Sequence, residues 1–346
     1  MDIELSAEAN KQAYYKRLPQ WHVAALWEIT KGLVQPELKS KSLPMQWKYA
    51  DVRPLLIEAG RLVTAEEADR RVLVLENPTF PNQGRTTSTL YAGVQMILPG
   101  ETAPAHRHTP SALRFILEGE GAFTAVDGEQ TTMRKGDFVI TPAWTFHDHG
   151  SASSGPCFWL DGLDIPITGF FEQTYLEEHG DKSQIRTRPE DHSVAKYGQG
   201  LLPMNAASPY GLTTPLLNYP YDRTRSALYG MAKGEEPHPH LAHTLRYANP
   251  IDGGWAMPTM AVWTMFVPKG FETRTMRSSE GIVMAVAEGR GRVTIDEQSF
   301  SFGPNDIHAI PAWCRRSFQG EEDMVLFLFS DRAAQEKLGL FQEFRE

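Results

Sequence analysis

Apolar positions follow two different rhythms along the chain. Between Asn10 and Leu33 they recur at helical spacing, through Tyr14, Leu18, Trp21, Ala25 and Ile29, until Pro36 and Pro44 break the pattern. Residues 40–49 read as an extended arm. Asp51 to Ala59 reads as a short helix with an acidic start and a glycine stop at Gly60. Residues 1–85 are therefore expected to form a helical and extended N-terminal region. From residue 86 the rhythm shortens to β segments at 89–98, 111–117, 121–126, 137–141 and 156–160, with turn signals at Pro99-Gly100, Glu118-Gly119 and Asp127-Gly128. Many short strands with closely spaced turns predict a mainly β sandwich or barrel over 86–165. Residues 166–255 are rich in Pro, Gly, Asn and Tyr and read as a linker with small helices, one of them at Gly169 to His179. A second β region is expected over 256–330. Residues 331–346 are expected to close as a helix, with Leu338, Leu340, Phe341 and Phe344 available for packing.

The two β regions carry one pattern, once intact and once erased. The first copy reads Gly100-x5-His106-Arg-His108, then Gly136-x5-Pro142-x-Trp144-x2-His147. The second reads Gly270-x5-Met276-Arg277-Ser278, then Asn305-x5-Pro311-x-Trp313-x2-Arg316. Pro-Ala-Trp recurs at 142–144 and 311–313, and Glu-Gly-x-Gly at 118–121 and 288–291. A one-residue gap between these blocks fits a shortened hairpin turn. Every histidine of the first pattern is Met, Ser or Arg in the second. One half is built to hold a metal, and the other is the same scaffold without one.

Composition narrows the setting. A net charge of −9 with no basic cluster argues against nucleic acid and anionic membranes as partners. No apolar run approaches the length of a membrane span, and no signal-peptide core opens the chain. The two cysteines, Cys157 and Cys314, occupy similar places in the two repeats and form no CxxC, so a cytoplasmic, reducing location is expected.

His106 and His108 lie two apart in a predicted strand, so both side chains face one side. A third imidazole from another strand completes a facial set with the opposite side of the metal open. His147 and His149 compete for that place. They share a strand face about 6.6 Å apart, so only one reaches the same ion. The repeat selects His147, whose counterpart is Arg316, and leaves His149 one strand step further along the cavity. His238-Pro-His240 also spells HxH, but it lies in the proline-rich stretch outside the frame and reads as a loop.

These two motifs resemble those of the cupins, and two copies resemble a bicupin. Positions 112 and 113, where a cupin usually carries a metal-binding glutamate, are Ala and Leu. The stretch from His106 to Gly119, with Thr145-Phe-His-Asp-His-Gly150, Trp159-Leu-Asp-Gly-Leu-Asp164 and the lead-in from Leu90 to Glu101, resembles the gentisate 1,2-dioxygenase family. The resemblance implies a mainly β bicupin with an N-terminal helical arm, assembled as an oligomer, often a homotetramer. It implies one Fe(II) per chain on His106, His108 and His147, a small aromatic acid substrate and O2. Gentisate would be cleaved to maleylpyruvate; salicylate and 1-hydroxy-2-naphthoate dioxygenases are alternatives within the family. A manganese decarboxylase or metal isomerase on the same scaffold, and a non-catalytic metal-binding bicupin, are the rival readings. The absent glutamate argues against the decarboxylase, and the intact triad against the non-catalytic protein.

Three neutral imidazoles leave a divalent ion its full charge, which favours a chelating carboxylate and ortho phenolate. Arg114 shares parity with the histidines and is a candidate for binding the carboxylate or stabilising an anionic oxygen. His149 and Asp161 read as a proton-handling pair in which the carboxylate orients the imidazole. Tyr91 and Gln95 share a strand face, and the resemblance puts both near the ring. The resemblance also implies an arginine reaching the site from the N-terminal region, for which Arg70 and Arg71 are alternatives. Trp144 and Trp313, kept in both repeats, read as structural.

Overall fold

The structure is a computed structural model describing residues 2–346. The chain divides into two compact units, one ending at Lys39 and the other spanning Ser40–Glu346. In the first unit, the helical stretch expected as one piece is two helices, α1 (Asp2–Arg17) and α2 (Leu26–Leu33), separated by a 3-10 turn at Leu18–Trp21. Pro19 disfavours helix in the residue before it, and His22 ends the turn in the left-handed region at φ 53. Tyr15 bridges the two helices: its hydroxyl accepts from Trp27 Nε1 at 2.9 Å and donates to Glu28 at 2.7 Å.

The second unit opens with β1 (Met45–Trp47), α3 (Tyr49–Leu62), a one-turn helix at Ala65–Ala68 and β2 (Arg71–Val74). Eight strands follow: β3 (Tyr91–Ile97), β4 (Thr102–His108), β5 (Ala112–Glu118), β6 (Ala122–Val126), β7 (Glu129–Thr132), β8 (Phe138–Thr141), β9 (His147–Ser151) and β10 (Cys157–Leu163). Three short strands, β11 (Leu176–Glu178), β12 (Asn218–Tyr219) and β13 (His243–Arg246), lead to the second series. That series is β14 (Ala261–Val267), β15 (Met276–Ser278), β16 (Ile282–Glu288), β17 (Gly291–Ile295), β18 (Gln298–Phe302), β19 (Ile307–Ile310), β20 (Arg316–Gly320) and β21 (Met324–Ser330). A short helix at Arg332–Leu338 and β22 (Glu343–Arg345) close the chain.

These strands build two barrels with the same plan. The first pairs a six-stranded sheet, β12-β8-β5-β10-β3-β2, with a five-stranded sheet, β11-β4-β9-β6-β7. The second pairs β1-β19-β16-β21-β14-β13 with β22-β15-β20-β17-β18. Strand for strand the orders correspond, which is the bicupin architecture. The edges come from unexpected places. β1, from the N-terminal stretch, borders the second barrel's sheet by pairing with β19. β12 and β13, from the stretch read as linker, border one barrel each. Covering sheet edges in this way removes unpaired backbone groups.

Several local expectations change. Gly60 does not stop a helix: α3 runs to Leu62, and a Cβ at Gly60 would lie 2.7 Å from Met96 Cε, so the glycine serves a close approach. The helix expected at Gly169 to His179 is a short helix at Ile165–Phe170 followed by β11, which pairs with β4. The closing helix ends at Gly339 (φ 69), and Leu338 and Leu340 remain exposed. The hairpin turns Asp127-Gly128 and Asp296-Glu297 have equal length, so the gap between repeats falls in the β5–β6 connection instead. Cys157 starts β10, in the place Met324 holds in β21, whereas Cys314 follows Trp313; the two cysteines are not equivalent.

The six-stranded sheets share one apolar core between the barrels. Phe115 of β5 stacks on Phe327 of β21 with ring centroids 4.3 Å apart. A Cβ at Gly162 would lie 2.6 Å from the Phe329 ring, so only glycine allows this contact. The barrel interiors differ. Fourteen buried apolar residues cluster in the second and only seven in the first, so the first keeps room for polar side chains. No helix among the described residues is long and apolar enough to cross a membrane.

Candidate metal centre

His106 and His108 project from β4 and His147 from β9. In register, Ala103 faces His149, but His106 faces His147, so one extra residue is inserted at Pro104-Ala105. This bulge brings His106 opposite His147, where a regular ladder would place Ala105. The ring centroids are 4.2 Å apart for His106–His147, 4.8 Å for His108–His147 and 5.2 Å for His106–His108. The three form the one group of metal-ligating side chains gathered among the described residues, with their nitrogens within 4.8 Å of one another.

Each ring is held the same way. Nδ1 faces a backbone carbonyl two residues away: Pro104 O at 3.2 Å for His106, Pro110 O at 2.7 Å for His108 and Thr145 O at 3.0 Å for His147. For His108 and His147, an Nδ1–H donated to the carbonyl leaves Nε2 as a lone pair aimed elsewhere, the usual orientation of a metal-binding histidine, whereas His106 Nδ1 is also faced by the Arg70 guanidinium, which can only donate. His147 Nε2 is buried with no partner. Burial and the neighbouring arginines push His106 down to about 3 and His108 to about 4, and burial holds His147 and His149 well below the usual range. All four rings are therefore neutral at pH 7. Three nitrogens each about 2.1 Å from one ion lie within about 4.2 Å of each other, so small ring movements close the set. The residues fit a divalent metal held by three imidazoles.

The polar side chains around the centre differ from the sequence expectation in one important way. His149 and Asp161 are not in direct contact; Arg114 stands between them. Its NH2 donates to His149 Nε2 at 3.1 Å, its NH1 donates to Thr141 Oγ1 at 2.6 Å, and its Nε is 3.4 Å from Asp161 Oδ1. Trp159 Nε1 donates to the same carboxylate oxygen at 3.0 Å. With Nε2 accepting, His149 carries its proton on Nδ1, which is buried and unpartnered. Burial pushes Asp161 up to about 6 although Arg114 pulls the other way, and burial lowers Arg114 to about 10. Arg114 lies on β5, in the sheet opposite β4, so it reaches the site across the barrel rather than along one strand. The sequence marked Trp159 only as part of the 159–164 stretch and gave Thr141 no role; the packing shows that both hold this network.

Strand register sets Gly93, Asp161 and Arg114 in one row and Gln95, Trp159 and Ile116 in the next. Tyr91 and Gln95 share a face of β3, and Gln95 is buried. Burial, then the nearby Asp161, raises the Tyr91 hydroxyl's pKa, and a Cβ at Gly93 would lie 2.9 Å from that hydroxyl.

The two arginine candidates separate. Arg70 NH2 donates to Pro104 O at 2.9 Å and lies against His106 Nδ1, so this side chain reaches the cluster. Arg71 does not take part: it makes a two-pronged ion pair with Glu101 at 2.5 and 2.6 Å and donates to Val63 O at 2.8 Å. Arg71→Ala is expected to cost about 2 kcal/mol of stability, because it removes both charge-assisted bonds to the half-buried Glu101, which then keeps only the Leu98 N–H. Arg70→Ala is expected to raise KM with little change in denaturant midpoint. Equilibrium unfolding and steady-state kinetics of both variants check this pair.

In the second barrel, Met276 faces Arg316 as His106 faces His147. Arg316 donates to Ser278 at 2.9 Å and pairs with buried Glu280 at 3.5 Å. Two ligand positions are thus Met276 and Ser278, and the third, Arg316, is tied into an internal ion pair. Trp144 and Trp313 both adopt left-handed backbone, at φ 59 and 65, and both carry a stacked guanidinium, from Arg107 at 4.4 Å and Arg277 at 4.6 Å. Their role is structural and common to both barrels. His238 accepts from the backbone N–H groups of His240 and Leu241, a turn contact outside the cluster.

The family profile for the cupin domain matches residues 93–163. Gentisate 1,2 dioxygenase 1 of Aquipseudomonas alcaligenes is 44% identical over 97% of this chain and 96% of its own length. The 1-hydroxy-2-naphthoate 1,2-dioxygenase of a Nocardioides species is 31% identical over 98% of this chain and 89% of its own. The crystal structure of salicylate 1,2-dioxygenase from Pseudoaminobacter salicylatoxidans, as an adduct with gentisate, superposes with a TM-score of 0.91 at 31% identity, covering 97% of this chain and 94% of that one. With two barrels of one plan and three imidazoles gathered in the first, the chain belongs to the gentisate 1,2-dioxygenase family of bicupin ring-cleaving dioxygenases.

Proposed function

We propose that this protein cleaves the ring of gentisate with O2 to give maleylpyruvate, using one Fe(II) per chain held by His106, His108 and His147. The observation that carries the reading is a set of three neutral imidazoles with no carboxylate beside them. Such a set matches a substrate bringing its own negative oxygens, a carboxylate and an ortho phenolate. Fe(II), when bound, supplies the Lewis acidity and the electronic link through which O2 meets the ring. Both oxygen atoms enter the product and the hydroxylated ring supplies the electrons, so no external reductant is required.

The protein's own groups orient and discharge the substrate. Arg70 and Arg114 offer guanidiniums to the carboxylate and to developing negative charge on oxygen. His149 presents Nδ1–H as a donor to a ring hydroxyl, while Arg114 fixes its other nitrogen. Asp161 acts through Arg114, as a positioning carboxylate. Tyr91 and Gln95 border the ring. Oxygen uptake by Fe(II)-loaded protein, compared with Mn(II)-loaded protein, tests the reading; turnover with manganese alone would overturn the choice of metal.

His149→Ala is expected to keep the iron and lose roughly 10²–10⁴-fold in kcat, the usual worth of positioned acid–base help. Metal analysis beside the kinetics checks this, and a metal-free variant would make His149 a ligand instead. The same reading puts the enzyme in the cytoplasm as a homotetramer. Two free cysteines suit a reducing compartment, and light scattering tests the assembly.

A further inference from the structure

The second barrel has no histidine triad, yet it is not filled. A cavity of about 180 Å³ lies at its metal-equivalent position, bounded by Met276, Arg316 and Glu280. A cavity of about 150 Å³ is enough for a benzene ring. Its lining includes the apolar and aromatic side chains of Trp255, Trp263, Met265 and Leu328. It also includes four arginines, Arg246, Arg316, Arg332 and Arg345.

The charges do not cancel. Arg316 pairs with Glu280, Arg345 with Glu343, and Arg332 with Glu336 and Glu343. The exposed Arg246 side chain makes no ion pair or hydrogen bond among the described residues; its guanidinium lies 5.6 Å from the Trp255 ring, as does that of Arg332. Four guanidiniums therefore meet three carboxylates. Arg316 and Glu280 are almost fully buried and neutralise each other, whereas Arg246 and Arg345 are exposed, so the excess positive charge lies on the solvent side of the cavity. β22 borders this cavity through Glu343 and Arg345, pairing with β15 as β11 pairs with β4 in the first barrel.

We propose that this cavity is a second, non-catalytic site that binds a small aromatic carboxylate, its ring against Trp255 and Trp263 and its carboxylate on Arg246 and Arg345. An inorganic anion would use the guanidiniums but leave the aromatic side chains uncovered, and a neutral aromatic would make no use of the exposed Arg246 and Arg345. The proposal does not depend on the catalytic reading, since it uses none of the residues of the first barrel.

Equilibrium dialysis of the full-length protein with radiolabelled benzoate tests it, with thermal unfolding of each variant as the control for folding. Arg246→Ala combined with Arg345→Ala should weaken one class of benzoate binding by about tenfold or more, the worth of a charge-assisted hydrogen bond. Thr244→Phe, which fills the cavity without touching a charge, should remove the same class. His147→Ala should leave that class in place. Benzoate binding unchanged in both cavity variants would overturn the proposal. So would displacement of this class by inorganic phosphate as readily as by unlabelled benzoate, which would make the site one for simple anions. Loss of all benzoate binding in His147→Ala would assign it to the first barrel and overturn the proposal as well.

Discussion

His147→Ala should strip the metal and abolish oxygen uptake together. Iron content should fall from one equivalent per chain to near zero, and turnover to background. His147 is buried, its Nε2 has no protein partner, and it alone brings a ligand from β9 to face the pair on β4. Two imidazoles from one strand cannot make a facial set. Excess Fe(II) should not rescue the variant, because the second barrel has Met276, Ser278 and Arg316 where a replacement set would be needed, and a protonated Arg316 repels a cation. Metal analysis with oxygen-electrode assays reads both outcomes. Two tightly bound iron equivalents in the unaltered protein would refute the single-site reading.

Gentisate should exceed salicylate in kcat/KM by about 10⁴-fold, the discrimination reached when buried polar groups lose the hydroxyl they are built to bond. Tyr91, Asp161, Arg114 and His149 form a polar region around the centre, and His149 Nδ1 has no partner within the protein. A ring without the second hydroxyl leaves that donor unpaired. An apolar wall would suit a plain or fused ring better. The relatives make the test sharp, since the same fold is found in proteins named for salicylate and for 1-hydroxy-2-naphthoate. Parallel assays with all three acids decide the matter. Comparable values for gentisate and salicylate would remove the hydroxyl argument and leave the ring-cleaving centre intact.

The sequence by itself determined the two-barrel plan and the triad. Strand alternation is a local property of the backbone, so the HxH pair and Pro-x-Trp-x2-His could be assigned to faces before any packing was known. The erased copy then separated His147 from His149, because Arg316 stands in the matching place. What the tertiary structure decided were questions of partnership. Arg70 and Arg71 are adjacent in sequence, yet one reaches His106 and the other is held by Glu101, which lies beyond the next strand. Arg114 inserts between His149 and Asp161 because β5 lies in the sheet opposite the ligands. The bulge at Pro104, the edge strands β1, β12 and β13, and the Arg316–Glu280 pair are likewise products of long-range register. A guanidinium or a carboxylate has many acceptable partners and no periodicity of its own. Only the folded arrangement, by bringing some of them within hydrogen-bond distance and burying them together, selects among them.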